Sequence, residues 1–341
     1  MNILVTGNLG YIGYVMVPYL VSKGHSVTGL DAGYYIDNML APVAQPVQRQ
    51  ITKDTRDVER LDFEGIDAVI HLAALSNDPI GELNKKLTYD INLSATLRVA
   101  ECAKAAGVKN FLFASSPSMF GISTIDGEID EDGQKHPLTA YAETKLMAEE
   151  QLADINGGDF VCTYLRPATA YGASPNQRCD VVFNNFVGCA YTTGKIEIMS
   201  DGTPWRPLAH VEDISRAFAA ALDAPRDIIE NRAFNVGAPD CNFTVRQLAE
   251  AAQKAVPGAE LTFTGEHADS RSYRVSFKRI LSELSNYEPK WDLESAGKEL
   301  TKLFDKVGFT HQDFIGERCI RIKKLKALME SGRLSDSLRW G

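Results

Sequence analysis

Tyr141 and Lys145 stand four residues apart in Tyr141-Ala142-Glu143-Thr144-Lys145, a spacing that puts both side chains on one face of a helix. A phenol ordinarily titrates near pH ~10, too high for a base at neutral pH. A neighbouring ammonium favours the phenolate and moves the group toward use as a general base. By itself such a pair is common by chance and usually marks a solvated helix face. Its company is Phe113-Ala114-Ser115-Ser116-Pro117-Ser118-Met119-Phe120-Gly121, an apolar run that ends in a hydroxyl-rich turn. Open parallel sheets bind their ligands at the carboxyl ends of strands. A serine there can hydrogen-bond a substrate oxygen while the tyrosine removes its proton, although Ser115-Ser116 alone reads as a turn or helix cap. Ser116, Tyr141 and Lys145 are therefore the candidate catalytic group.

A second motif sits near the N-terminus. Thr6-Gly7-Asn8-Leu9-Gly10-Tyr11-Ile12-Gly13 follows the apolar run Asn2–Thr6 and precedes Ile12, Val15, Met16, Tyr19 and Leu20 at helical spacing. The first glycine permits a tight turn, the second lets backbone approach a pyrophosphate, and the third allows close helix–strand packing. The helix N-terminus then offers N–H groups and a positive dipole end to the anion. Asp31 ends the next apolar run at the distance expected of an acid that accepts hydrogen bonds from an adenosine 2′-hydroxyl. No arginine accompanies it at Ala32 or Gly33, nor at Asn8 in the loop, so NAD is favoured over NADP. An ordinary glycine turn and a turn-capping aspartate are the competing readings.

These groups need elements to hold them. Ser26–Leu30, Asp67–Leu72, Phe111–Ala114 and Phe160–Leu165 are further short apolar runs, separated by helical stretches such as Asn92–Ala106. Alternation of this kind predicts an α/β fold, a doubly wound parallel sheet with helices on both faces. After Arg166 the texture becomes turn-rich, as in Gly172-Ala173-Ser174-Pro175 and Asp201-Gly202-Thr203-Pro204. Residues 1–166 are expected to form the cofactor-binding domain, with segments near 207–236 returning to it. Residues 167–206 and 237–310 form a smaller, interleaved substrate-binding domain, and 311–341 a C-terminal helical tail. In that tail Arg318, Arg321, Lys323, Lys324 and Lys326 interleave with Ile320, Ile322, Leu325 and Leu328. A basic membrane or partner helix is one reading; a terminal helix packed on its own protein is the favoured one.

The chain has 341 residues, 44% hydrophobic and 24% charged, which excludes disordered and fibrous classes. A net charge of -9 argues against nucleic-acid binding. Cys102, Cys162, Cys179, Cys189, Cys241 and Cys319 form no close pair, and no His cluster has zinc spacing, so no metal is expected. No apolar run reaches the roughly 20 residues needed to span a bilayer, and no signal peptide is evident. The reading is a cytoplasmic protein without membrane or nucleic-acid partners.

Taken together, the motifs resemble the extended short-chain dehydrogenase/reductase family in its sugar-nucleotide epimerase and dehydratase branch, as far as about residue 310. Asp54-Thr55-Arg56-Asp57 is similar to the adenine-contacting segment. His71-Leu72-Ala73-Ala74 is similar to the strand end beside the cofactor, Asn92 to a position in the helix that follows, and Leu165-Arg166-Pro167 through Tyr171-Gly172 to the segment near the nicotinamide. Trp205-Arg206-Pro207-Leu208-Ala209-His210-Val211-Glu212-Asp213-Ile214 and Asn235-Val236-Gly237 resemble later motifs. The resemblance implies a Rossmann domain. It also implies an NAD site built from Gly7, Asn8, Leu9, Gly10, Tyr11, Ile12, Gly13, Asp31, Asp54, Thr55, Leu72, Ala73, Ala74, Asn92, Tyr141, Lys145 and Pro167. Ser116 would hold the sugar C4 oxygen, Tyr141 would act as the base, and Lys145 would bind the nicotinamide ribose and tune the tyrosine. Arg206 and Arg271 would meet the nucleotide diphosphate, since a planar guanidinium matches phosphate oxygens; a surface role is the alternative for Arg271. Ser76, Asn77, Ser118, Thr169 and Asp180 complete the substrate-side set.

Departures from the family pattern narrow the implied reaction. Pro117 and Ser118 stand where 4,6-dehydratases carry an Asp-Glu pair. Decarboxylases have a Glu at the Ser118 position, and GDP-fucose synthases and GDP-mannose 3,5-epimerases a Cys. Phe120 replaces a usual Tyr, and Thr169 a usual Asn. The implied activity is an NDP-sugar 4-epimerase, in which hydride leaves C4 for NAD and returns to the opposite face. An NDP-4-ketosugar reductase or sugar-nucleotide dehydrogenase is the nearest alternative, and a catalytically silent cofactor-binding protein a more distant one. A homodimer through the helices carrying Asn92 and Tyr141 is also implied.

Overall fold

The structure is a computed structural model describing residues 1–76, 84–121, 127–265 and 272–341. Its strands in chain order are β1 (Asn2–Thr6), β2 (Ser26–Asp31), β3 (Arg49–Thr52), β4 (Ala68–His71), β5 (Asn110–Ala114), β6 (Glu128–Ile129) and β7 (Val161–Pro167). They continue with β8 (Thr169–Tyr171), β9 (Lys195–Ile198), β10 (Trp205–His210), β11 (Arg232–Val236), β12 (Asn242–Thr244), β13 (Glu260–Phe263) and β14 (Arg274–Val275).

Seven of them form one parallel sheet in the order β11-β7-β5-β4-β1-β2-β3. Side chains alternate along a strand, so one sheet feeds two cores. Ile3, Val5, Ala68, Ile70 and Leu112 pack with Met16, Val17 and Leu20 of helix Gly13–Ser22 and with Ile214, Ala217 and Phe218 of helix Val211–Asp223. Leu4, Val69, Phe111 and Phe113 face the other way, onto Val99, Ala100 and Ala103 of helix Ala95–Ala106 and Ala148 and Leu152 of helix Ala140–Ile155. Burial on both faces is why these strands read as continuous apolar runs. The doubly wound α/β arrangement expected from the sequence is present. The strand order reverses between β1 and β4, and that switch point opens a crevice at the carboxyl ends.

A separate core gathers helices Val182–Thr193, Val245–Ala255 and Leu293–Val307 with the parallel pair β9 and β13. Beside it lies the three-stranded sheet β12-β10-β8. Within the 207–236 stretch, helix Val211–Asp223 and β11 lie on the main sheet, whereas β10 pairs with β8 and β12 instead. The tail contains helices His311–Ile315 and Arg321–Glu330, and it folds back on the protein: Leu325, Leu328, Leu334 and Leu338 bury against Leu75, Leu87 and Ile91. Among the described residues, no helix is long and apolar enough to cross a membrane, and no cluster of three His, Cys, Asp or Glu could hold a metal.

Candidate active site

At the end of β1 the chain must turn without touching β4. Gly7 takes a φ of 72°, and a Cβ there would lie 2.8 Å from the Ala73 nitrogen. Its N–H donates to Leu30 O at 2.8 Å, tying the loop to β2. A Cβ at Gly13 would lie 2.4 Å from Asn8 O and 2.5 Å from Gly7 O, so the helix starts hard against the loop. The crevice beside this loop has a cavity volume of about 160 Å³ and opens to solvent. Its walls include Gly7, Gly10, Tyr11, Ile12, Gly13, Asp31, Asp54, Thr55, Leu72, Ala73, Ala74 and Ser76. Tyr34, Tyr35, Ala170, Arg178 and Arg321 also line it.

The chemistry of those walls suits a dinucleotide. Asp31 accepts from Gly33 N at 2.7 Å and Leu9 N at 3.2 Å, one bond to each oxygen, which leaves acceptor capacity for ribose hydroxyls. Burial pushes its pKa up; the two N–H donors and the Arg321 charge oppose that shift. Asp54 is also penalised by burial, but Arg56 holds its carboxyl below the usual range. Buried donors Arg178 Nη2 and Arg321 Nη1 have no hydrogen-bond partner, and both residues line the crevice, an arrangement ready for an anion.

The catalytic candidates assemble at the end of β5. Helix Ala140–Ile155 is capped by Thr139, whose hydroxyl accepts from Ala142 N at 3.3 Å. Lys145 is 2% exposed and its Nζ donates to Ala114 O at 2.6 Å. The ammonium lies 4.5 Å from the Phe113 ring centroid and 5.8 Å from that of Tyr141. Burial brings its pKa down to about 7, with Glu149 acting the other way. Ser116 Oγ accepts from Ser118 N at 3.2 Å and caps the 3-10 turn Pro117–Phe120. It is therefore a cap, as its turn chemistry suggested, and its own proton remains available to donate. His71 behind the site is neutral: held between Thr6 Oγ1 at 2.7 Å and Thr96 Oγ1 at 2.9 Å, its pKa falls to about 3 through burial and the Lys145 charge.

Comparison with known proteins agrees with this geometry. Residues 3–237 match the model of the NAD dependent epimerase/dehydratase family. The chain belongs to that family. A UDP-glucose 4-epimerase of Lactobacillus helveticus is 31% identical over 281 residues, covering 77% of this chain and 84% of its own. Among solved structures, the Thermotoga maritima UDP-glucose 4-epimerase with UDP-glucose has a TM-score of 0.77 at 25% identity. It spans 90% of this chain and 99% of its own, so about a tenth of this chain has no counterpart there. MoeE5 in complex with UDP-glucose and NAD has a TM-score of 0.76 at 26% identity, with coverage of 90% and 99%. The protein is an NAD-dependent enzyme of the extended short-chain dehydrogenase/reductase branch.

Within this epimerase/dehydratase framework several expected contacts fall elsewhere. Asn8 does not face the crevice: Nδ2 donates to Gln45 at 2.7 Å and Gln50 at 2.8 Å. Leu9 packs on Tyr14 and Met39, and both its backbone groups are taken, the N–H by Asp31 and the carbonyl by Asn176. Asn92 acts one layer back. It lies in a π turn (Asp90–Ser94) and holds Leu75 through N–H and carbonyl bonds of 2.8 and 3.1 Å, shaping the strand-end turn. Pro167 ends β7 and Thr169 starts β8, and neither lines the crevice, although Ala170 does.

On the substrate side, Asp180 is occupied. It accepts from Arg178 Nε at 2.7 Å and from Arg321 N at 3.4 Å. Arg178, its partner, is the residue that reaches the crevice, donating to Ser76 Oγ at 3.2 Å. Arg206 on β10 donates to Trp205 O at 2.8 Å and lies outside this crevice. Ser118 Oγ is buried without a partner. Asn77 and Arg271 lie outside the described residues. Tyr34, Tyr35 and Arg321 were not anticipated at the crevice; no motif marks them, and Arg321 was one basic residue among several in the tail.

Proposed function

We propose that this enzyme is an NDP-sugar 4-epimerase working by transient oxidation at the sugar C4. The observation that carries the reading is the position of Lys145, buried at the end of β5, bonded to Ala114 O and 5.8 Å from the Tyr141 ring. Bound NAD supplies the two-electron acceptor and donor. Tyr141 takes up the proton of the C4 hydroxyl and later returns it, with the Lys145 ammonium favouring its phenolate. Ser116 donates a hydrogen bond from its hydroxyl to the same sugar oxygen and keeps its proton. Proton transfer at a second carbon, which dehydration requires, has no agent at Pro117 or Ser118, because a serine hydroxyl is a poor acid or base at neutral pH. The match to UDP-glucose 4-epimerases puts UDP-sugars first among substrates.

The test is product NMR on the purified protein with UDP-, GDP-, dTDP- and CDP-hexoses, with and without added NADH. Epimerisation without added cofactor and without net change in nicotinamide absorbance is expected. Stoichiometric NADH consumption would instead assign a 4-ketosugar reductase, the second reading. The proposal includes a homodimer through the helices carrying Asn92 and Tyr141, checked by light scattering. It also includes a cytoplasmic site of action, in keeping with six unpaired cysteines.

A further inference from the structure

The tail reaches the cofactor crevice at three places. Leucines 325, 328, 334 and 338 cover Leu75 and Ile91, which themselves line the crevice. The final residues then tie to the adenosine end. Tyr34 Oη donates to Leu338 O at 2.6 Å, and the Trp340 indole donates to Ala32 O at 2.6 Å. Arg56 donates to the carbonyls of Ser337 at 2.8 Å and Leu338 at 3.0 Å, and Arg339 pairs with Asp57 and, at 3.6 Å, with Asp54. The Trp340 ring lies 5.8 Å from that of Tyr34. These anchors flank Asp31 and Asp54, the carboxylates at the adenosine end.

Arg321 enters the crevice itself. It is 2% exposed, its guanidinium lies 4.5 Å over the Tyr35 ring, and Nη2 donates to Asn176 O at 2.7 Å. Nη1 has no partner, and neither has Nη2 of Arg178 on the same crevice. The Arg178 guanidinium pairs with Asp180, which Arg321 meets through its backbone N–H, so the two buried guanidinium groups still carry unpaired donors and positive charge that suit an anion. The diphosphate of a dinucleotide is an anion of matching charge, and it must pass beside the glycine loop.

We propose that the tail is part of the cofactor site: Arg321 donates through Nη1 to the NAD diphosphate, and residues 334–340 strap the adenosine end so that bound dinucleotide leaves slowly. This rests on NAD binding alone and stands whether the sugar chemistry is epimerisation or reduction.

The test compares the full chain with Arg321→Met and with the double variant Arg339→Ala/Trp340→Ala. Titration calorimetry gives the affinity for NAD, ADP and adenosine; fluorescence of bound NADH gives its release rate; apo-protein melting serves as the folding control. Arg321→Met loses the bond to Asn176 O but also removes a charge that burial penalises, so apo melting should shift little while NAD and ADP bind about tenfold or more weakly and adenosine is unaffected. The double variant, made at partly exposed positions, should release NADH several-fold faster. Wild-type affinity for NAD and ADP in Arg321→Met would overturn the diphosphate contact. Unchanged release from the double variant would overturn the strap. Tighter binding in either would make the tail a plug that competes with the dinucleotide, and would overturn the proposal entirely.

Discussion

Lys145→Met should stabilise the apo-protein at acid pH even as it removes activity. The side chain is buried, and burial lowers its pKa from the ordinary 10.5 to about 7. Between those values the folded state holds fewer protons than the unfolded chain. Stability therefore rises with pH across the interval, by about 1.4 kcal/mol per unit, and is lowest below pH 7, where both states are protonated. The full shift corresponds to about 5 kcal/mol of folding free energy withheld at pH 6. Methionine removes that penalty but leaves Ala114 O without its 2.6 Å donor, which costs about 1–3 kcal/mol. The variant should exceed wild type by about 2–4 kcal/mol at pH 6; the difference should vanish between about pH 8.5 and 10 and reverse by about 1–3 kcal/mol near pH 10.5. Urea unfolding of NAD-free protein at several pH values reads this directly, with unchanged m-values confirming a common transition. A variant less stable than wild type at pH 6, or a difference independent of pH, would refute the account of Lys145 as a charge held against its solvation.

Tyr141→Phe should keep NAD affinity within about twofold while turnover falls by at least about 100-fold, in line with loss of a general base; undiminished turnover removes Tyr141 from its role. Asp31→Ala should weaken NAD binding by about tenfold and narrow the preference for NAD over NADP, because the carboxylate that accepts from ribose and repels a 2′-phosphate is gone; comparative titrations of the two cofactors decide it. Gly7→Ala places a methyl 2.8 Å from the Ala73 nitrogen at a φ of 72°. It should lower stability by about 1–3 kcal/mol and weaken NAD binding, read by melting with and without cofactor.

The parts of the site legible in the sequence are those whose physics is local. The glycine loop, Asp31 at the end of β2 and the apolar runs of β1, β4, β5 and β7 each announce themselves within a few residues, and the structure carries the expected α/β sheet. Lys145 and Tyr141 are legible for the same reason, being one helical turn apart. β3 was not read as a strand, because Arg49–Thr52 sits at the sheet edge and carries one buried residue in four. Asp180 reads as a substrate group only by the family resemblance, and nothing in the sequence signals that Arg178, two residues away, will take its carboxylate. Asn8 turned inward because Gln45 and Gln50, far along the chain, supply its partners. Arg321 was hidden most completely. Its surroundings come from two distant stretches, Tyr35 and residues 176–180, and a guanidinium in a basic helix looks solvated until those stretches are brought together.

The way the tail closes over the first half of the molecule also bears on how the chain is made. Trp340 bonds to Ala32, 308 residues away in sequence, and Tyr34 to Leu338, 304 residues away. On a ribosome the sheet strands can pair and the glycine loop can form long before those partners are synthesised. Throughout that interval Leu75, Leu87 and Ile91 present an uncovered apolar face, the kind of surface that chaperones hold and that aggregates when they do not. Docking of residues 325–340 onto that face is therefore a long-range step, slow by its contact order.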